Sequence, residues 1–183
     1  MSTVTLADNS AKVTDKVRLN TKFASSSPWL DLEPDCLVIC CSDHRFEKQT
    51  REFLKHLGYE RPHMLQVPSG PVMTLPLVSA FGFLSKATDK IVEKIVELKK
   101  VRTVICIGHH DCGAYKAGNV HLVNVVIKRV TGNSVEKLQH EHLSQAARRI
   151  KLAVRGADVR AYFAGVSGEG EKARVEFEEV PVK

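Results

Sequence analysis

Apolar positions along the chain fall into short continuous runs parted by amphipathic stretches, and the two kinds alternate. CLVIC at 36–40 is continuously apolar and of strand length, the pattern of a strand covered on both faces. In FEKQTREFLKHLG at 46–58, Phe46, Phe53, Leu54 and Leu57 share one helical stripe and Gly58 is placed to end it. HMLQV at 63–67 predicts a second strand, stopped by Pro68, Gly70 and Pro71. A long helical pattern from about Leu77 to Lys100 leads into TVICIG at 103–108, a third buried strand. Beyond it, VHLVNVVIKRV (120–130) and SVEKLQHEHLSQAARRIKLAV (134–154) predict helices parted by Gly132 and Asn133. The stretch DVRAYFAGVSGEGEKARVEFEEV (158–180) alternates on both sides of a Gly-rich turn and predicts a hairpin.

Strands that alternate with helices and then close in a hairpin describe an α/β fold. The expected architecture is a mostly parallel central β-sheet flanked by helices, with an antiparallel edge strand from the C-terminal hairpin. Residues 1–33 have weak periodicity and hold the run SSSP at 25–28, so they are expected to form an N-terminal arm ahead of one domain over 34–183.

Composition narrows the function classes. The 183 residues suffice for one domain with a real core, and 43% apolar with 26% charged residues is a globular balance. The formal charge of +6 is spread along the chain without a basic cluster or interleaved aromatics, so no nucleic-acid partner is expected. The apolar runs are too short to span a membrane. Five cysteines, an odd count with no secretory signal, suggest reduced thiols in the cytoplasm and a metal-binding or catalytic use. Asp8 and Asp15 in the Ser/Thr-rich N-terminal segment argue against an organelle signal.

The chemistry-bearing residues stand where buried strands end. CSDHR (41–45) follows the first apolar run and GHHDCGA (108–114) closes the third. In open parallel sheets, sites form beyond the carboxyl ends of strands, often beside a switch point. Should these two strands be neighbours, Cys41, His109 and Cys112 converge as a Cys2His set, a recognised catalytic zinc arrangement with the fourth position open. Thiolates favour zinc over magnesium or calcium, and no Cys-x-x-Cys pair points to redox work. Gly108 and Gly113 are expected to ease the tight turn that joins the two donors. His110 is the natural rival of His109, and alternation lets only one of Cys40 and Cys41 face the site. Cys36, Cys40 and Cys106 read as core, because a strand cysteine usually packs as a small hydrophobe. His44, His56, His63, His121, His140 and His142 have no partner at ligand spacing and read as surface or locally satisfied groups.

CSDHR resembles the Cys-x-Asp-x-Arg motif of the β-class carbonic anhydrases, and GHHDCGA resembles their Gly-His-x-x-Cys-Gly motif. Order, separation and the closing hairpin agree as well, so the resemblance covers roughly Pro34 to Val180. It implies one zinc ion per chain held by Cys41, His109 and Cys112, with Asp43 and Arg45 as the catalytic dyad. Arg45 would keep Asp43 ionised and oriented, and Asp43 would aim the nucleophile at carbon dioxide. The implied reaction is reversible hydration of carbon dioxide to bicarbonate and a proton. The implied assembly is a homodimer or higher homo-oligomer in which residues 1–33 contact the partner.

The chain departs from that pattern in one loop. Family members usually carry an Arg/Lys-Asn-Ala-Gly/Ala-Asn-like segment after the second strand; here the segment is QVPSGPV (66–72), whose two prolines remove N–H donors. The change leaves two further functions open: hydrolysis of a related substrate such as carbon disulfide or carbonyl sulfide, and a zinc-bearing binding or assembly role with weak catalysis.

Overall fold

The apolar run at 36–40 becomes an inner strand of a parallel sheet. The computed structural model describes residues 24–29, 31–76, 82–115 and 134–183. By its contacts the chain divides into two units, Met1–Leu32 and Glu33–Lys183. In the first, Ser25 and Ser27 close a local turn and Trp29 is exposed.

The second unit carries strands β1 (Cys36–Cys41), β2 (Pro62–Val67), β3 (Thr103–His109), β4 (Asp158–Ser167) and β5 (Arg174–Glu179) in the sheet order β2-β1-β3-β4-β5. β1 pairs in parallel with β2 and β3, and β3 in parallel with β4; β5 returns antiparallel to β4 as the edge. Among the described residues, helices α1 (Glu47–His56), α2 (Gly82–Lys99) and α3 (Val135–Ala153) accompany it. This is the α/β architecture with an antiparallel hairpin edge that the hydrophobic pattern predicts.

Strand alternation sorts the core into two layers. Leu37 and Ile39 of β1, Val104 and Cys106 of β3, and Phe163 of β4 pack with Val92 of α2 and Leu143 and Ile150 of α3. The intervening residues, among them Val38, Cys40, Ile105, Ile107 and Tyr162, pack with Phe46 and Leu54 on the α1 side. Truncating a side chain such as Phe163, which is 1% exposed, should cost about 3–5 kcal/mol. Asp89 of α2 and Arg149 of α3 form a bidentate ion pair that binds the two helices together.

Several boundaries differ from the pattern for local reasons. β1 and β3 each run one residue past their apolar runs, to Cys41 and His109. A 3-10 turn, His44–Phe46, precedes α1, and the Asp43 carboxylate caps it by accepting the Arg45 N–H at 3.1 Å. Gly58 follows α1 at φ 87°, the left-handed stop expected of it. Inner β4 is buried without alternation from Ala161 to Ala164, because helices cover both of its faces, whereas edge strand β5 alternates. The start of the helix expected from Leu77, the helix at 120–130 and its Gly132–Asn133 break lie outside the described residues. Among the described residues, no helix is long and apolar enough to cross a membrane.

Candidate metal centre

Because β1 lies between β2 and β3, the chain reverses its direction of travel across the sheet between β1 and β3. Beyond the carboxyl ends at such a point neither connection covers the sheet, and a site can form. Cys41 arrives on the α2–α3 face, packed near Val72, Leu75, Cys112, Tyr115 and Ala146. His109 arrives on the α1 face, its ring 4.4 Å from that of Phe46. The two meet only past the strand ends, where the following loop brings in Cys112.

That loop turns at Asp111, whose φ of 57° lies in the left-handed region. Aspartate is one of the few side chains that tolerates it. The expected glycine hinges do not make the turn, since neither Gly108 nor Gly113 has a positive φ. Gly108 serves packing instead: a Cβ there would sit 3.1 Å from Leu143 Cδ2. His110 points outward and is exposed, while its N–H bonds the Ala164 carbonyl at 2.8 Å, so His109 is the inward ring.

The donor atoms of Cys41, His109 and Cys112 all lie within 4.8 Å of one another, and the two sulfurs are 4.0 Å apart. Two thiolates about 2.3 Å from one tetrahedral ion stand about 3.8 Å apart, so the observed spacing fits a shared metal. The histidine adds an independent sign. Its Nδ1 is 2.7 Å from the His110 carbonyl oxygen, to which it donates, and its buried Nε2 has no hydrogen-bond partner among the described residues. A backbone bond at one ring nitrogen commonly directs the other to a metal. An orphaned buried acceptor beside two sulfurs is what a metal ligand looks like without its ion. The three side chains could hold a metal ion.

The protons in this cluster are unevenly shared. The Cys112 thiol donates to Cys41 and pulls the Cys41 pKa down, with burial working the other way. Cys112 is pushed up correspondingly, by that same bond and by burial. Burial opposes charge on His109, but the Cys41 sulfur and the His110 carbonyl outweigh it and raise the ring's pKa. A metal ion would have to displace these protons.

Asp43 and Arg45 stand at the mouth. Arg45 Nη2 is 2.6 Å from Asp43 Oδ2, and its Nε lies 3.0 and 3.1 Å from the two carboxylate oxygens. This fork, with burial opposing, holds the Asp43 carboxyl down at about 2. On its other side Arg45 reaches Asp111, with Nη1 3.4 Å from Oδ2.

The QVPSGPV segment forms the wall behind Cys41. Ser69 and Gly70 both have positive φ, 69° and 58°, and Gly70 opens a 3-10 turn, Gly70–Thr74. A Cβ on Gly70 would stand 2.9 Å from the Cys41 nitrogen and 3.2 Å from the Ile107 oxygen. Sequence reasoning sees in this segment only a departure from the family pattern and misses both this contact and the Asp111–Arg45 link. The Pro-Ser-Gly-Pro spacing and the aspartate between two donors were the available signals.

The remaining cysteines fall where expected. Cys36, Cys40 and Cys106 are buried in the sheet. His44 and His56 are exposed, His140 lies 3.2 Å from Glu178, and His142 Nδ1 lies 3.0 Å from the Tyr115 hydroxyl. His121 lies outside the described residues. A larger groove of about 490 Å³ between α1 and the hairpin, lined by Phe53, Val166 and Phe177, includes none of the donors.

No family model matches the chain. An uncharacterised protein of Rickettsia conorii is 26% identical over 144 residues, 76% of this chain and 72% of its own length. One of Rickettsia bellii is 27% identical over 119 residues, 64% and 68% of the two chains. Among solved structures, the β-carbonic anhydrase CafA of Aspergillus fumigatus is similar with a TM-score of 0.51 at 16% identity, over 82% of this chain and 77% of that one. The carbonic anhydrase of Streptococcus mutans gives 0.50 at 16% identity, over 85% and 87%. The chain has the β-carbonic anhydrase fold.

Proposed function

We propose that the protein is a zinc-dependent lyase that hydrates carbon dioxide reversibly to bicarbonate and a proton. One zinc ion per chain would be held by Cys41, His109 and Cys112, with Asp43 and Arg45 as the catalytic pair. The observation that carries this reading is the Cys2His cluster with its orphaned Nε2, set beside a carboxylate–guanidinium fork. Zinc, when bound, supplies a Lewis acid able to bring the pKa of water from about 15.7 to about 7.

The chain's own residues do the rest. Asp43, ionised down to a pH of about 2, accepts a hydrogen bond and does not donate one. It therefore orients the attacking oxygen and leaves proton loss to water. Arg45 fixes the carboxylate's direction through three contacts, as a rigid fork does better than a lysine. The protein works as a homodimer or larger homo-oligomer in the cytoplasm, with residues 1–33 as the arm that contacts the partner.

The QVPSGPV wall favours a second substrate reading within the same chemistry. Pro68 and Pro71 supply no N–H, and Gly70 lies close behind the Cys41 backbone, so this wall differs from the loop the family usually carries. Carbon disulfide or carbonyl sulfide is the related substrate to try. A rapid-mixing hydration assay on zinc-loaded protein decides between them. Wild type should hydrate carbon dioxide at a rate that rises with pH, and Asp43→Ala should keep its zinc yet lose about 100-fold or more. Zinc-loaded wild type that attacks only the sulfur compounds moves the substrate assignment. Inertness toward all three leaves a binding or assembly role.

A further inference from the structure

The donor set is split between two strand ends, with Cys41 closing β1, His109 closing β3 and Cys112 in the loop that follows, and Arg45 is bonded on both sides of the split. One edge of its guanidinium meets Asp43, two residues from Cys41, at 2.6–3.1 Å. The adjacent edge, which shares Nη2, meets Asp111, between His109 and Cys112, with Nη1 3.4 Å from Oδ2 and Nη2 3.4 Å from the backbone oxygen. We infer that Asp111 is a positioning residue for the metal centre, which through Arg45 ties the loop that carries Cys112, after β3, to the end of β1 that carries Cys41. This rests on the reading of the cluster as a zinc site.

The contacts have a hierarchy that suits such a strap. The short bonds make Asp43 and Arg45 one rigid unit, continued into the backbone by the Arg45 N–H bond to Asp43 Oδ1 at 3.1 Å. The longer bonds to Asp111 then set where that unit rests on the facing loop. Cys41 and His109 are held by their strand ladders, whereas Cys112 lies past the end of β3, so its spacing from Cys41 depends on contacts made by the loop that carries it. Asp111 also fills a left-handed backbone position, φ 57°. Its charge and its conformational tolerance are separable, because asparagine shares the second and lacks the first.

The mouth is open to solvent, with the Arg45 and Asp111 side chains 51% and 36% exposed, so the effect should be modest and sensitive to salt. The experiment measures zinc release from the full-length zinc-loaded protein into excess chromophoric chelator. Asp111→Asn should speed release several-fold at low salt, and the difference should shrink near about 0.5 M salt. In an Arg45→Gln background the same substitution should add nothing, since the strap is already cut. Unchanged release in Asp111→Asn overturns the inference while the zinc site stands. An equal acceleration with or without Arg45 also overturns it, because the residue would then act through its own loop. A wild-type chain that takes up no zinc overturns the underlying site reading instead.

Discussion

Cys40 and Cys41 are adjacent on one strand, yet one belongs to the sheet interior and the other to its carboxyl rim. Burial pushes the Cys40 thiol up to about 12, with the Cys41 charge adding to it. Cys36 and Cys106, also interior, are raised to about 12, chiefly by burial. At the rim the Cys112 thiol faces Cys41 and draws its pKa down instead. Chemically identical side chains thus become inert filler or members of a cluster that could hold a metal, according to which side of the strand end they occupy. The interior selects for volume, while the rim selects for lone pairs that share one point in space.

Removing one donor breaks that contrast most severely. Cys112→Ala leaves two protein donors, and elemental analysis should fall from about one zinc per chain to none. Cys40→Ala should keep full zinc and lose roughly 1–2 kcal/mol of packing stability by chemical denaturation. In metal-free protein at neutral pH, a thiol reagent should modify Cys41 readily and leave Cys36, Cys40 and Cys106 unmodified until the chain unfolds. Zinc retained by Cys112→Ala, or lost from Cys40→Ala, would mean that the strand register at the rim is other than described.

The interior was legible in the sequence because burial leaves a periodic trace. Continuous apolar runs marked β1 and β3, and the Phe46–Phe53–Leu54–Leu57 stripe marked α1 and its inward face. Alternation let only one of Cys40 and Cys41 face the site, and the Cys-x-Asp-x-Arg register chose Cys41. The rim was legible only where residue chemistry is rare enough to stand out, as with Cys41, Asp43, Arg45, His109 and Cys112. What escaped was set by close approach and backbone geometry. Gly108 looks like a hinge in sequence, yet it makes room for Leu143 from a helix more than thirty residues on. Asp111 carries the turn assigned to the glycines, and no periodicity reports a single left-handed residue. Gly70 lies behind Cys41 only because the sheet order brings the loop after β2 against the end of β1.

Gly70 gives the next largest expected effect, because it joins rim to interior. Alanine there meets a left-handed backbone, about 1–2 kcal/mol, and a backbone nitrogen at 2.9 Å that cannot rotate away, about 1–3 kcal/mol more. Gly70→Ala should therefore lower denaturant stability by roughly 2–5 kcal/mol and weaken zinc retention, since the atom it strikes belongs to Cys41. Alanine at Gly113, where a Cβ would meet nothing within 4 Å, is the control and should change little. Equal behaviour of the two variants would show that the loop yields without moving the ligand.

The smallest effect separates the rim's charges from its metal. In metal-free protein the Asp43 carboxyl is held at about 2 by the Arg45 fork, below its ordinary value of 3.8. A carboxyl lowered in the folded state stabilises the fold fully above its unfolded value, and that contribution disappears as the pH falls through the folded one. Stability from this group is therefore complete above a pH of about 4 and fades toward 2. Asp43→Asn never has it, so the stability gap between wild type and variant should be constant near neutral pH and close on acidification. Arg45 is half-exposed, which screens the pair and keeps the gap small. Salt should narrow it further. Denaturant titrations of both metal-free proteins across that acid range measure it, and a gap that widens as pH falls would show that the fork does not hold the carboxylate ionised.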